Sequence, residues 1–267
     1  MIHPTSHNED APAFEGIDNF RDFGGYPTAD GRRVKRGRLF RSAHHGRATD
    51  ADLNLLSALD LAAVVDLRRS EERQRDPSQR PPAFTAEVID NDIDQHSEDS
   101  YHAFLKTSDL SVESMKDYLV SYYAAAPFEP RHIDLYSRYF RALATAAGPV
   151  LIHCAAGKDR TGILAALTHQ LMGVAYEDSV ADYLLTNDPE RIERRLKLFG
   201  DYVEAISGRR ASEEALRVTM GVDALYLDTA FEAIKGRYGS IDAYLEQALG
   251  VDADLKAEIH QRLLHEH

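Results

Sequence analysis

Apolar positions recur along this chain with two different periods. Short runs rich in Val, Ile, Leu and Phe are typical of buried strands, and longer stretches with apolar residues every three or four positions are typical of helices. The predicted strands lie at 37–41, 61–66, 86–90 and 149–153, and the predicted helices among them lie at 50–59, 112–125 and 131–147. Short strands that alternate with helices predict an α/β fold with a central, mainly parallel sheet.

From residue 161 onward the pattern is helical. A proline at 189, directly after Asn187 and Asp188, is typical of a helix start. We therefore expect a helical C-terminal third that forms a layer against the sheet. Its predicted helices are 161–172, 176–186, 189–206, 211–220, 224–236, 240–248 and 254–264.

The segment 95–130 is an insertion in the alternating pattern. Its second half places Met115, Leu119 and Tyr122 on one helical stripe. Such a stripe suits a helical lid over a cleft, and an ordinary packed amphipathic helix explains it equally well. Residues 1–16 are polar and of mixed charge, which predicts a flexible N-terminal arm ahead of a single domain at 17–267.

Composition and charge exclude several classes of function. The 267 residues include 31 Lys and Arg against 44 Asp and Glu, and the net charge of −13 argues against general nucleic-acid binding. No run approaches about 18 apolar residues, so we expect no membrane span. The single cysteine, Cys154, cannot form an intramolecular disulfide and indicates a reducing, cytoplasmic location. No Cys/His cluster has zinc-ligand spacing, and we expect neither a metal nor an organic cofactor.

The sequence HCAAGKDRTG at 153–162 joins the last predicted strand to a helix and contains that cysteine. A loop that curls around a thiol at a helix N-terminus offers backbone N–H groups and positive potential, which bind an oxyanion and favour the thiolate. Gly157 leaves the backbone free to take a positive φ or to approach the anion closely. We therefore expect a phosphate-binding loop. Its predicted residues are Cys154, Ala155, Ala156, Gly157, Lys158, Asp159 and Arg160.

The side chains of this loop suit the hydrolysis of a phosphate ester. Cys154 is the predicted nucleophile, and Arg160 offers a planar fork for two phosphate oxygens. Thr161 can donate a hydrogen bond to the sulfur when a phosphocysteine intermediate is hydrolysed. We expect His153 to steady the loop and Gly162 to permit close packing of the helix on the strand.

The leaving oxygen needs a proton, and two aspartates are candidates for the general acid. Asp66 ends a predicted strand at the edge where α/β sheets bind ligands, but an ion pair with Arg41 or Arg68 explains it as well. Asp159 lies in the loop itself and either protonates the leaving group or stabilises the loop. The neighbouring Lys158 is expected to contact a second acidic group of the substrate or to neutralise the first, and an exposed side chain that points away from the cleft is the alternative. The sequence leaves the choice of acid open.

Other loops that bind phosphate or carry a thiol give alternatives. A nucleotide-binding P-loop requires Ser or Thr after Gly-Lys, and Asp159 stands there instead. A rhodanese-like sulfurtransferase also carries its cysteine in an amide-lined loop, although the Arg-Thr-Gly ending favours phosphate. A phosphate-binding module without catalysis is a further alternative.

The segment 153–162 resembles the signature loop of cysteine-dependent protein tyrosine phosphatases, in the form found in an atypical bacterial group. The resemblance extends over nearly the whole chain: NFRDFGGY at 19–26, LFRS at 39–42, VDLR at 65–68, DYLLTN at 182–187 and the tail at 237–249. It implies the tyrosine phosphatase fold and hydrolysis of phosphotyrosine in proteins, with phosphoserine, phosphothreonine or phosphoinositides as further substrates of some members. The resemblance also points to Asp66 as the acid. The chain has no Trp, so the Trp-Pro-Asp acid loop of larger members is absent.

Overall fold

The computed structural model describes residues 13–93 and 100–265, and within them five short strands form one sheet. The strands are β1 (Arg21–Asp22), β2 (Leu39–Ser42), β3 (Ala63–Asp66), β4 (Glu87–Ile89) and β5 (Val150–His153), in the spatial order β1-β2-β5-β3-β4. All neighbouring pairs are parallel except β1 and β2. In the register, Ser42 and Asp66 each pair with His153, so three strands end side by side at one edge of the sheet.

Helices surround this sheet, and the predicted α/β fold with a helical C-terminal third is confirmed. The side chain of Asp188 accepts hydrogen bonds from the first backbone N–H groups of the helix at Pro189–Ser207, which is the helix start that the sequence indicates. The helices are α1 (Asp50–Ala58), α2 (Ser70–Arg75), α3 (Ser100–Thr107), α4 (Val112–Ala125), α5 (Pro130–Thr145), α6 (Asp159–Leu171), α7 (Tyr176–Leu184), α8 (Pro189–Ser207), α9 (Glu213–Met220), α10 (Ala224–Tyr238), α11 (Ile241–Gln247) and α12 (Ala253–Leu263).

The main hydrophobic core lies between the sheet and helices that include α5, α6 and α10. Val65 and Ile152 of the sheet, Phe140 of α5, Leu164 of α6 and Phe231 of α10 are all buried in it. Burial of such side chains contributes about 1.5–3 kcal/mol each to folding. The α6 helix is therefore held on the sheet through its apolar residues, which fixes the loop that precedes it.

A second cluster joins the insertion to the C-terminal third. Leu105 of α3 and Met115 of α4 pack with Leu196 and Val203 of α8 and with Leu216 of α9. The prediction of a layer against the sheet is thus wrong for α8 and α9, because their apolar faces cover the insertion helices instead.

The predicted N-terminal arm is described only from residue 13. The backbone N–H groups of Glu15 and Gly16 each donate to the buried carboxylate of Asp52, at 2.8 Å. These residues are therefore held against α1, whereas 1–12 lie outside the described residues, as do 94–99 of the insertion. Within the described ranges no helix is long and apolar enough to cross a membrane.

Candidate active site

The predicted phosphate-binding loop follows β5 at the carboxyl edge of the sheet, where parallel α/β sheets bind ligands. Cys154 is the first residue after the strand, and Asp159 begins α6. A cleft of about 500 Å³ opens over the loop. The loop residues that line it are Cys154, Ala155, Ala156, Lys158, Asp159 and Arg160. The fold thus brings the predicted nucleophile and arginine into the lining of one cleft.

The loop is shaped by contacts with β2 and the segment before β1. Gly157 has φ +67°, and a Cβ there would lie 2.4 Å from the carbonyl oxygen of Ser42. The Gly157 carbonyl accepts hydrogen bonds from Asn19 Nδ2 at 2.8 Å and Arg41 Nη2 at 3.1 Å. Glycine is needed here both for its backbone conformation and for the close approach.

A buried ion cluster holds the arginine that braces the loop. Asp182 of α7 accepts from Arg21 Nε at 3.1 Å and from Arg41 Nη1 at 2.6 Å, and all three side chains are at most 4 % exposed. Burial alone would raise the pKa of Asp182, but the two guanidinium groups more than offset it and lower the pKa. These three residues lie in the segments 19–26, 39–42 and 182–187 that the sequence analysis singled out. These segments therefore support the loop through Arg41 and do not themselves form it.

Arg160 is held by a carboxylate that sequence reasoning missed. Its two terminal nitrogens donate to the two oxygens of Glu72 in α2, at 2.5 and 2.8 Å, and Nη1 also lies 3.2 Å from the Leu67 carbonyl oxygen. Burial raises the pKa of Glu72, but Arg160 outweighs it and lowers the pKa to about 2. The guanidinium is thereby fixed at the loop. The sequence signal that could have identified Glu72 is its position in the first turn of the helix that follows β3, because β3 pairs with β5 and the loop follows β5.

Asp66 forms an ion pair with Arg68, which was the alternative interpretation of this residue. Its oxygens accept from Arg68 Nε at 2.8 Å and Nη2 at 2.6 Å, and the residue is 2 % exposed and does not line the cleft. Although burial disfavours its charged form, His153 and Arg68 lower the pKa of Asp66. Its carboxylate is therefore ionised at neutral pH.

His153 is fully buried, and the contacts of its ring within the described part of the chain are with Asp66, His45 and the Cys154 backbone. Its Nε2 lies 3.6 Å from Asp66, its Nδ1 lies 3.5 Å from the Cys154 carbonyl oxygen, and its ring stacks on that of His45 at 4.7 Å. Burial lowers the pKa of His153 to about 4, so the ring is neutral at pH 7.

Asp159 differs from Asp66 because it lines the cleft. Its Oδ1 accepts from Lys158 Nζ and from Tyr123 Oη, each at 2.8 Å. Lys158 is only 7 % exposed, so its ammonium is turned towards Asp159. Thr161 lies one turn into the same helix, and its buried hydroxyl has no hydrogen-bond partner among the described residues.

Gly162 permits the close approach of a neighbouring helix, in addition to the predicted packing of α6 on the sheet. A Cβ at this position would lie 2.8 Å from the ring of Tyr183 in α7. The residue therefore allows α7 to pack closely on α6, and Arg41 Nη2 of β2 would lie 3.5 Å from the same Cβ.

Comparison with known proteins agrees with the geometry. A sequence model of the tyrosine phosphatase family matches residues 12–265. The chain belongs to the tyrosine phosphatase family. It is a cysteine-dependent phosphatase that hydrolyses phosphoric monoesters, which decides against the sulfurtransferase and non-catalytic alternatives.

Two relatives of this phosphatase match along most of their length. A candidate tyrosine-protein phosphatase of Cupriavidus necator is 33% identical over 243 residues, which cover 90% of this chain and 84% of the relative. The triple specificity protein phosphatase PtpB of Mycobacterium tuberculosis is 32% identical over 262 residues, which cover 87% of this chain and 92% of PtpB.

The cleft of the phosphatase has an aromatic wall built from two parts of the chain. Tyr101, Tyr118 and Tyr122 come from the insertion, and Phe199 and Tyr202 come from α8. The contribution of α8 was not predicted, because only the packing of α8 on α3 brings these rings together. The wall and the thiol line the same cleft.

Proposed function

We propose that this phosphatase hydrolyses phosphotyrosine in proteins, with Cys154 as nucleophile and Arg160 as phosphate ligand. The observation that carries the proposal is a cleft with an aromatic wall, lined also by a thiol and by a guanidinium that Glu72 holds in place. A phosphotyrosine ring packs favourably against such a wall while its phosphate reaches the loop.

The reaction proceeds in two displacements. The Cys154 thiolate attacks phosphorus, the bond to the tyrosine oxygen breaks, and a general acid protonates that oxygen. A water molecule then attacks the phosphocysteine, phosphate leaves the sulfur, and the same carboxylate takes up the proton of the water. Backbone N–H groups of residues 155–160 and the Arg160 guanidinium bind the phosphate oxygens, and Thr161 donates to the departing sulfur.

Asp159 is the general acid in this proposal. It lines the cleft, whereas Asp66 is buried, bonded through both oxygens to Arg68 and absent from the cleft lining. A general acid must reach the leaving oxygen, and a carboxylate outside the cleft cannot do so.

A second substrate class is favoured by the charge of the cleft. Among the described residues, nine Lys or Arg and five Asp or Glu line it, although the whole chain carries a net charge of −13. Such a local excess of positive charge attracts substrates with several negative charges, such as phosphoinositides. The name of the mycobacterial relative, a triple specificity phosphatase, supports testing phosphoserine and phosphothreonine as well.

The proposal includes a cytoplasmic location, because a reactive thiol survives best in a reducing compartment. It also includes one domain at 17–267, with phosphorylated protein as the partner, no nucleic acid, and neither metal nor cofactor.

Phosphate release from a phosphotyrosine peptide, a phosphoserine peptide and a phosphoinositide tests the function. We expect the phosphotyrosine peptide to give the highest kcat/KM, vanadate to inhibit, and chelators to leave the rate unchanged. Cys154→Ser should abolish turnover while retaining peptide binding. Turnover by Cys154→Ser, or loss of activity with chelator, would contradict the mechanism, and a preferred phosphoinositide would select the second substrate class.

A further inference from the structure

The carboxylate of Asp159 is held from one side. Both of its hydrogen bonds, from Lys158 Nζ and Tyr123 Oη, fall on Oδ1. No hydrogen bond to Oδ2 comes from any residue within 13–93 and 100–265, and the Asp159 side chain is 21 % exposed in the cleft. The arrangement leaves Oδ2 as the oxygen that can carry a proton to the substrate.

We propose that Tyr123 is the positioning residue that presents Asp159 Oδ2 to the leaving oxygen, and that Tyr183 orients Tyr123. This inference rests on the proposed role of Asp159 as general acid. Tyr123 is fully buried in α4, and its Oη also lies 2.6 Å from Tyr183 Oη.

The directions of these hydrogen bonds follow from the number of protons. Each phenol has one proton, and the Asp159 carboxylate can only accept while it is ionised. Tyr123 therefore donates to Asp159, and Tyr183 donates to Tyr123. When Asp159 carries a proton on Oδ2, its Oδ1 is a carbonyl oxygen and still accepts the same bond, so the alignment holds in both protonation states.

The phenols align the acid and do not relay a proton. Burial raises the pKa of both Tyr123 and Tyr183 well above the ordinary value, and the charge of Asp159 raises it further. Both side chains therefore keep their protons throughout the reaction. In the first displacement the Asp159 Oδ2–H bond breaks as the leaving oxygen gains the proton, and in the second Oδ2 regains a proton from water.

The surrounding helices hold this chain of hydrogen bonds rigidly. The ring of Tyr183 lies where a Cβ at Gly162 would contact it at 2.8 Å. The ring of Tyr123 packs against Tyr226 of α10, with centroids 5.5 Å apart. The orientation of Asp159 thus depends on α4, α7 and α10 together.

Leaving-group dependence separates positioning of the acid from a general structural role. We would measure kcat/KM of Tyr123→Phe, Asp159→Asn and the double variant on aryl phosphates whose phenols range from strongly to weakly acidic. Asp159→Asn should lose little with the most acidic phenol and on the order of 100-fold with the least acidic. Tyr123→Phe should follow the same trend, with a loss on the order of tenfold for the least acidic phenol. The double variant should lose no more than Asp159→Asn alone.

Tyr139→Phe is the matched control, because this equally buried hydroxyl bonds to Thr168 Oγ1, away from the cleft. It should change kcat/KM by the same small factor across the series. An equal loss for Tyr123→Phe across the series, or a double variant that loses the product of the two single losses, would overturn the positioning role. A flat series for Asp159→Asn would instead overturn the role of Asp159 itself, and with it this inference. If Tyr123→Phe fails to fold, Tyr183→Phe should show the same trend more weakly, and a flat series there would equally overturn the inference.

Discussion

Removal of the charge on Glu72 tests whether the phosphatase activity requires the Arg160 guanidinium to be held in place by this carboxylate. In Glu72→Gln, an amide of the same shape replaces the carboxylate, so the Arg160 guanidinium loses a charged partner and faces an NH₂ group in place of one oxygen. A hydrogen bond to a charged group contributes about 1.5–3 kcal/mol. Because about 1.4 kcal/mol corresponds to a factor of ten in rate, we expect kcat/KM to fall on the order of 10- to 100-fold.

The same substitution changes the pH dependence of stability. Glu72 has its pKa lowered from 4.5 to about 2 in the folded protein, so its contribution is complete above pH 4.5 and is lost as the pH falls towards 2. The shift corresponds to about 3 kcal/mol. The difference in unfolding free energy between the wild type and Glu72→Gln should therefore shrink as the pH is lowered through this range.

Two assays check both parts of this prediction. Steady-state hydrolysis of an aryl phosphate gives kcat/KM, and urea denaturation at several pH values gives the free energy of unfolding. Glu71→Gln is the control, since Glu71 is the exposed neighbour in the same helix. A Glu72→Gln enzyme within twofold of the wild type in kcat/KM, or a stability difference that stays constant with pH, would refute the reasoning.

Three further predictions concern the loop, its support and the insertion. Gly157→Ala should lose activity and about 1–3 kcal/mol of stability, whereas Gly208→Ala, also at φ +70° but with open space, should lose stability alone in thermal melts and kinetic assays. Asp182→Asn should cost about 3–5 kcal/mol in urea denaturation, because it leaves two buried guanidinium groups undercompensated, and a loss under 1 kcal/mol would contradict this. Vanadate should slow limited proteolysis within 95–130 if this segment is a lid, and unchanged cutting would count against it.

Local sequence patterns were enough for the fold class and for the loop. Hydrophobic period distinguishes strand from helix over a few residues, and the strand, thiol loop and helix of 150–171 are contiguous. The helix bounds in the C-terminal third follow from the same signal, because caps and prolines act on neighbouring backbone groups. For these features the interactions that decide the structure lie close together in the chain.

The choice between Asp66 and Asp159 could not be made from sequence. Both are aspartates at the carboxyl edge of the sheet. They differ in their surroundings, because the Asp66 side chain is bonded to Arg68 whereas the Asp159 side chain lines the cleft. That outcome depends on packing in three dimensions, and a pattern of residue types does not contain it.

The sequence by itself determined an α/β protein with a thiol and an arginine six residues apart in one loop between a strand and a helix, and it predicts that this loop binds phosphate. The tertiary structure decided which groups hold that loop: Glu72 lies 88 residues from Arg160, and Tyr123 lies 36 residues from Asp159. The physical reason is that hydrogen bonds and ion pairs act over a few ångströms of space, whatever the separation along the chain, and only the packed helices and sheet bring these partners within that range.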